Sequence, residues 1–468
     1  MEVFQAFLGG KNMVQRKKES YFLGIVFALI LSFSFILLPS TQGASPGSGS
    51  LLGSFTRIKM DNGLTLIVKE VHSAPIAAVD IWVGTGAKNE TPEIAGLSHF
   101  FEHMLFKGTT RRKVGEIAQE IKAVGGYQNA ETSLDTTHYF VVVPSEKVAL
   151  ALDVEADAIM NSSFDPQEID KERQVILEEK RLKEDSPQGK LGLMAYQAVF
   201  GGTPYANDVL GNEATLSNIN HDTFEHYFRR YYIPGNMVVV VVGDVDTSQI
   251  VDQAKSLFRD FQNRENIRMN VQPPEVKIPR LDKVTRINTT MQVDQTYLYF
   301  GFPGPGLNDP DEAALSVLGV ILGEGQGARF HQELLEKQGL VNEIAAGYQS
   351  YQQIGMFVIY AQMQKGKTTT LESEVQKMIS RIIKNGVTGE ELSRAKAIVR
   401  SQIAYTMESD ADIASILGEY QINGDASDAD RSILNIEKVT AKDIQRVVAK
   451  YLNPKGYVLA IVQPQEAK

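Results

Sequence analysis

Two stretches of this chain, INHDTFEHYFRRYYIPGNMVVVVVGDV (219–245) and VTAKDIQRVVAKYLNPKGYVLAIVQP (439–464), read as one pair of elements met twice. In each, a helical pattern ends in an aromatic residue close to a proline, Pro234 or Pro454, and a buried strand follows. AGLSHFFEHML (95–105) is echoed by AALSVLGVILG (313–323), and GGYQNA (125–130) by AGYQSY (346–351). All three echoes keep their order and an offset of about 220 residues. Three weak matches at one offset predict two copies of one domain, which suits a chain too long for a single core. Strand-like runs such as LTLIVKE and PIAAVDIWVG alternate with helical patterns, so each copy is expected to be α/β or α+β. We place the copies at 55–265 and 283–468. The junction, 266–282, falls in the Pro- and charge-containing stretch NRENIRMNVQPPEVKIPR.

The duplication gives meaning to a cluster of histidines. HFFEH (99–103) holds two of the seven histidines in the chain. At the matching positions of the second copy, His99 becomes Val317, Glu102 becomes Val320 and His103 becomes Ile321. An aliphatic side chain therefore suits this slot, and placing His, Glu and His there costs desolvation unless a bound cation offsets it. At i and i+4 on a helix, His99 and His103 reach one tetrahedral ion, with Glu102 beside them, the H-x-x-E-H arrangement. The chain has no cysteine, which leaves histidine and carboxylate as metal ligands and excludes disulfides and cysteine nucleophiles.

A third ligand has a candidate in 165–185, DPQEIDKERQVILEEKRLKED, which reads as a helix with Asp165 as N-cap, Pro166 at N1 and Glu168 at N3. Helical spacing sets Glu172 and Glu179 on one face with Val175 and Ile176, while Glu178 points toward solvent. Carboxylates in an apolar stripe want a partner, either a cation or a facing Arg or Lys. GEGQGARF (323–330) lacks the Lys-Ser/Thr ending and the preceding strand of a phosphate-binding loop, and reads as a turn between helices. His138 reads as a strand-surface residue, not a ligand. A formal net charge of −10 and the lack of a basic stripe set nucleic acid aside.

These residues resemble the pitrilysin or insulinase-like zinc peptidases, and among them the two-domain subunits of the processing-peptidase type, over roughly 52–468. In that family a glutamate ligand follows the H-x-x-E-H motif in a segment like E-R-x-V-I-L-x-E. Here ERQVILEE places Glu179 about 76 residues after His103. The resemblance implies two mainly antiparallel sheets covered by helices, forming half of a clamshell. It implies one zinc ion per chain on His99, His103 and Glu179, with Glu102 as general base and Glu172 supporting a ligand. It also makes YQNAETSLDTTHYFVVV (127–143) a substrate-binding edge, with Asn129 and Ala130 near the scissile bond of a peptide added as a strand. Self-sufficient relatives carry an Arg and a Tyr seven residues apart in the second half, where this chain has Leu335 and Asn342; Arg329 matches a different, structural residue. The departure implies a homologous partner subunit that supplies Arg and Tyr, a homodimer being the other arrangement. Non-catalytic scaffolds of the same fold are the competing reading, along with a peptide-binding subunit.

The N-terminal segment bears on location. A basic stretch, Lys11 and Arg16 to Lys18, precedes the apolar run YFLGIVFALILSFSFILL (21–38). This predicts a signal peptide or membrane anchor over 1–44, with a flexible linker, 45–54, leading into the first domain. Small residues at Thr41 and Gly43 suit cleavage, no cysteine follows for a lipid anchor, and Met13 offers a more conventional start than Met1. Either form puts the folded part outside the cytoplasm, exported or periplasmic, with any membrane contact through 21–38 alone.

Overall fold

The computed structural model describes residues 52–262 and 275–465. The expected leader with its apolar run, and most of the expected junction, lie outside these residues. No helix among the described residues is long and apolar enough to cross a membrane.

The first half runs β1 (Thr56–Lys59), β2 (Thr65–Glu70), β3 (Ile76–Val83), α1 (Leu97–Leu105), α2 (Glu116–Ala123), β4 (Tyr127–Thr132), β5 (Thr137–Pro144) and α3 (Val148–Asn161). It continues through α4 (Pro166–Asp185), α5 (Pro187–Val199), α6 (Glu213–Asn218), α7 (His221–Tyr231), β6 (Met237–Gly243) and α8 (Thr247–Leu257). The second half comprises β7 (Thr285–Met291), β8 (Thr296–Pro305), α9 (Glu312–Gly323), β9 (Glu343–Ser350), β10 (Ile354–Met363) and α10 (Thr368–Asn385). It closes with α11 (Gly389–Thr406), α12 (Asp410–Asn423), α13 (Asp428–Lys438), α14 (Ala441–Tyr451) and β11 (Val458–Pro464).

The two sheets repeat one topology. Their strand orders are β1-β2-β6-β3-β5-β4 and β7-β11-β8-β10-β9. In each, a single parallel pair, β2 with β6 or β7 with β11, joins an otherwise antiparallel sheet. The echoed segments fall on matching elements, α1 with α9 and β4 with β9. Val317, Val320 and Ile321, the aliphatic counterparts of the motif, are buried in the second core.

The central strands of both sheets are buried on both faces, which is why β6 reads MVVVVVG without alternation. Val239 and Val241 of β6 face a core shared with α1, α3 and α7. Val238, Val240 and Val242 face away, onto Ile413, Ala414 and Leu417 of α12, a helix from the other half. The exchange is reciprocal. Leu191, Ala195 and Val199, one stripe of α5, cover Tyr299, Met356, Val358 and Val462 of the second sheet. Each half thus supplies the helix that closes the other's sheet. Gly418 lets α12 sit directly on the Trp82 indole, since a Cβ there would lie 2.2 Å from Trp82 Cδ1.

Two expectations need correction. Val175 is 49% exposed, because the buried face of α4 centres on Ile169, Glu172 and Ile176 and leaves Val175 about 100° to one side. His138 is buried beneath α12, stacked on Trp82 and bonded to Asp80 at 3.0 Å, so its strand face is an interface between the halves, not a surface. GEGQGARF is a turn, as read, leading from α9 into a π-helical segment, His331–Lys337.

Candidate metal centre

The site is built by α1 lying against α4. The α4 helix starts where its composition says, with Asp165 accepting from Gln167 N–H at 2.7 Å and Pro166 at N1. Its twenty residues carry Glu172 and Glu179 two turns apart along α1. From α1, His99 and His103 project toward them with ring centroids 4.7 Å apart.

His99 Nε2 lies 3.7 Å from Glu179 Oε2, and His103 Nε2 lies 3.6 Å from the same oxygen. One ligand atom from each of the three side chains falls within 4.8 Å of the others. Ligands of a tetrahedral zinc ion stand roughly 3.3 Å apart, so small side-chain movements would close this set on a cation. Two imidazoles and a carboxylate are also the donor chemistry that zinc takes in sites with an open position. His103 Nδ1 lies 3.2 Å from Glu172 Oε2, and Glu172 Oε1 accepts from the Lys107 ammonium. That bond fixes the His103 tautomer, leaving Nε2 for a metal. His99 Nδ1 is buried without a hydrogen-bond partner among the described residues.

The electrostatics divide the ligands. Burial disfavours the His103 imidazolium, but the Glu172 and Glu179 carboxylates outweigh it and raise its pKa to about 9. Burial lowers that of His99, which lacks comparable hydrogen bonds. For Glu172 and Glu179 burial works upward, yet the hydrogen bonds from His103, joined by Lys107 at Glu172, hold both carboxyls below their usual range. A cation bound here would meet carboxylates held toward their ionised form and would displace a proton from His103. Glu102, one residue before His103, is partly exposed, and no hydrogen bond engages its side chain among the described residues.

Asn129 and Ala130 lie on β4, the edge strand of the first sheet, with Asn129 exposed. Among the described residues the outer side of β4 pairs with no strand, and β4 is in contact with α1. The Arg/Tyr positions bring nothing to the centre. Leu335 packs against the second core, and Asn342 bonds to Gln295 at 2.7 Å. Arg329 pairs with Glu391 at the start of α11. Sequence reasoning missed Lys107, although its place four residues after His103 was a usable signal.

Residues 65–213 match the family model described as Insulinase (Peptidase family M16), and residues 218–399 match that described as Peptidase M16 inactive domain. "Uncharacterized zinc protease YmxG" of Bacillus subtilis is 30% identical over 410 residues, covering 87% of this chain and 98% of that protein. An "Uncharacterized zinc protease" of Rickettsia bellii is 31% identical over 393 residues, 84% of this chain and 93% of its own. Among solved structures, a protease from Helicobacter pylori shares the fold, with a TM-score of 0.83 at 24% identity over 88% of this chain and 99% of that one. A site of two histidines and a glutamate in a duplicated sheet thus coincides with family matches over both halves: the chain belongs to the insulinase family of peptidases, M16.

Proposed function

We propose that this chain is the zinc-bearing subunit of an exported endopeptidase that cleaves extended peptides or unfolded segments. The observation that carries the reading is the convergence of His99, His103 and Glu179 beside Glu102 on the same short helix. A zinc ion held by those three side chains would acidify a bound water and polarise a peptide carbonyl. Glu102, with no competing hydrogen bond among the described residues, accepts the proton of the attacking water and returns it to the leaving amine. Glu172 holds His103 through Nδ1, and Lys107 holds Glu172. The substrate backbone pairs with the free edge of β4, where Asn129 and Ala130 keep the bond to be cut in register.

Leu335 and Asn342 offer no charge or hydroxyl to a developing oxyanion, an interaction worth roughly 3–4 kcal/mol in other hydrolases. A homologous subunit that supplies Arg and Tyr completes the enzyme in this reading, or a second copy shares the chamber. The segment 1–44 delivers the chain across a membrane, as cleaved signal or anchor.

The test is hydrolysis of a quenched-peptide mixture by the purified, zinc-loaded chain, alone and with its Arg/Tyr-bearing paralogue. Chelator-sensitive turnover is expected, with Glu102→Gln lowering it about 10²–10⁴-fold while zinc content stays at one per chain. No turnover in either format, with zinc bound, would leave a non-catalytic subunit.

A further inference from the structure

The helix that carries both histidines starts without a cap of its own. Gly96 stands at its N-terminus in the left-handed region, φ 94°, and offers no side chain. A capping serine or asparagine cannot replace it, because a Cβ at Gly96 would lie 2.9 Å from Gly211 Cα. Nine residues are too few for a helix to hold itself in water.

The missing cap comes from Glu90. Its buried carboxylate accepts the Gly96 N–H through Oε2 at 2.7 Å and the Ser98 N–H through Oε1 at 2.6 Å. The turn is tied further to the rest of the domain. Ser98 Oγ meets the Tyr227 hydroxyl at 2.7 Å, and Thr215 Oγ1 donates to the Ala95 carbonyl at 2.7 Å. Two oxygens on two amides at the start of the helix, those of Gly96 and Ser98, fix rotation as well as height. Burial pushes the Glu90 carboxyl up, to about 8, against the Ser98 and Gly96 hydrogen bonds that favour its ionised form, so the clamp carries a desolvation cost.

The second copy is an internal control. Its counterpart helix α9, with aliphatic residues at the ligand positions, begins on a local turn in which Asp311 N–H donates to Asp309 Oδ1 at 2.8 Å. The Asp311 carboxylate is engaged elsewhere, by Lys450 at 2.7 Å and Tyr451 at 2.9 Å. The remote clamp belongs to the copy that carries the ligands.

We infer that Glu90 is a positioning residue for the metal centre, its two oxygens setting the rotation and height of α1 and so the convergence of His99 and His103 on Glu179. The inference rests on the zinc reading, since ligands must hold their geometry within about 0.5 Å to bind well.

The experiment measures zinc affinity of the full chain by chelator competition, and the visible spectrum of its cobalt-substituted form. Wild type is compared with Glu90→Ala, Glu90→Gln and the control Thr440→Ala, which removes the N-cap of α14 far from the site. Glu90→Ala is expected to raise the zinc dissociation constant about 10–100-fold and alter the cobalt spectrum, Glu90→Gln to do so less, and Thr440→Ala to change neither. Folded Glu90 variants with wild-type affinity and spectrum would overturn the inference. So would failure of both variants to fold, which would assign Glu90 to the fold alone. A wild-type chain without zinc affinity would instead remove the zinc reading beneath it.

Discussion

Glu102, Glu172 and Glu179 crowd one centre, and their surroundings give them different work. Glu179 faces both histidines, Glu172 is bonded on both oxygens, and Glu102 has no side-chain hydrogen bond among the described residues. His99 and His103 stood out in the sequence because histidine is scarce and the duplicate supplied aliphatic residues for comparison, whereas Glu179 was singled out by the family resemblance. Glu90 was not, because a carboxylate reaching back to a helix six residues on leaves no periodic trace. Arg329 illustrates the opposite case, a charge near the expected Arg position that serves the fold. With Arg329 Nη2 at 2.7 Å from Glu391 Oε2, the pair outweighs burial and lowers the Glu391 pKa to about 2. A carboxyl depressed in the folded state stabilises fully above its unfolded value near 4.5, and the benefit disappears as pH falls toward 2. Thr388 N–H also holds the Glu391 carboxylate and solvent screens the partly exposed pair, so Arg329→Met should cost only about 1 kcal/mol at pH 7 and almost nothing near pH 2, a difference that urea unfolding at several pH values would measure.

At the level of elements, the alternation of strands and helices and the start of α4 were readable, because caps, prolines and apolar runs are local. Val175 was misplaced because periodicity gives a stripe without saying which edge is covered. The destinations of α5 and α12 were invisible, since an amphipathic helix carries no address for the sheet it will cover. Gly418 is the clearest mark of that destination. Alanine there gains about 1 kcal/mol of helix propensity but drives a methyl into a buried indole that cannot retreat, being stacked on His138. Gly418→Ala should lower stability by a net 1–2 kcal/mol, read as a reduced urea midpoint, and larger side chains by more.

For the whole molecule, exchange of covering helices means that neither half has a complete exterior by itself. The halves should unfold in one transition, with the single tryptophan, Trp82, reporting the seat of α12 and far-UV circular dichroism reporting both sheets. A protease site inserted within 263–274 and then cut should leave two fragments that co-elute, with unshifted tryptophan emission. Separation of the fragments would show that the connection, not the exchange, holds the halves together. The duplication itself was legible at this scale, whereas the strand order was not, because pairing between distant strands is written in no short segment.

The exchange also sets a clock. The first sheet has all its strands once Gly243 is made, but the helix that shields Trp82 and Val240 is encoded about 170 residues later. At 5–20 residues per second, that apolar face waits roughly 10–30 seconds for its cover during synthesis. For that interval the growing chain is a client for any holding factor that binds exposed strands, and its final closure belongs to the last moments of translation or to a time after release.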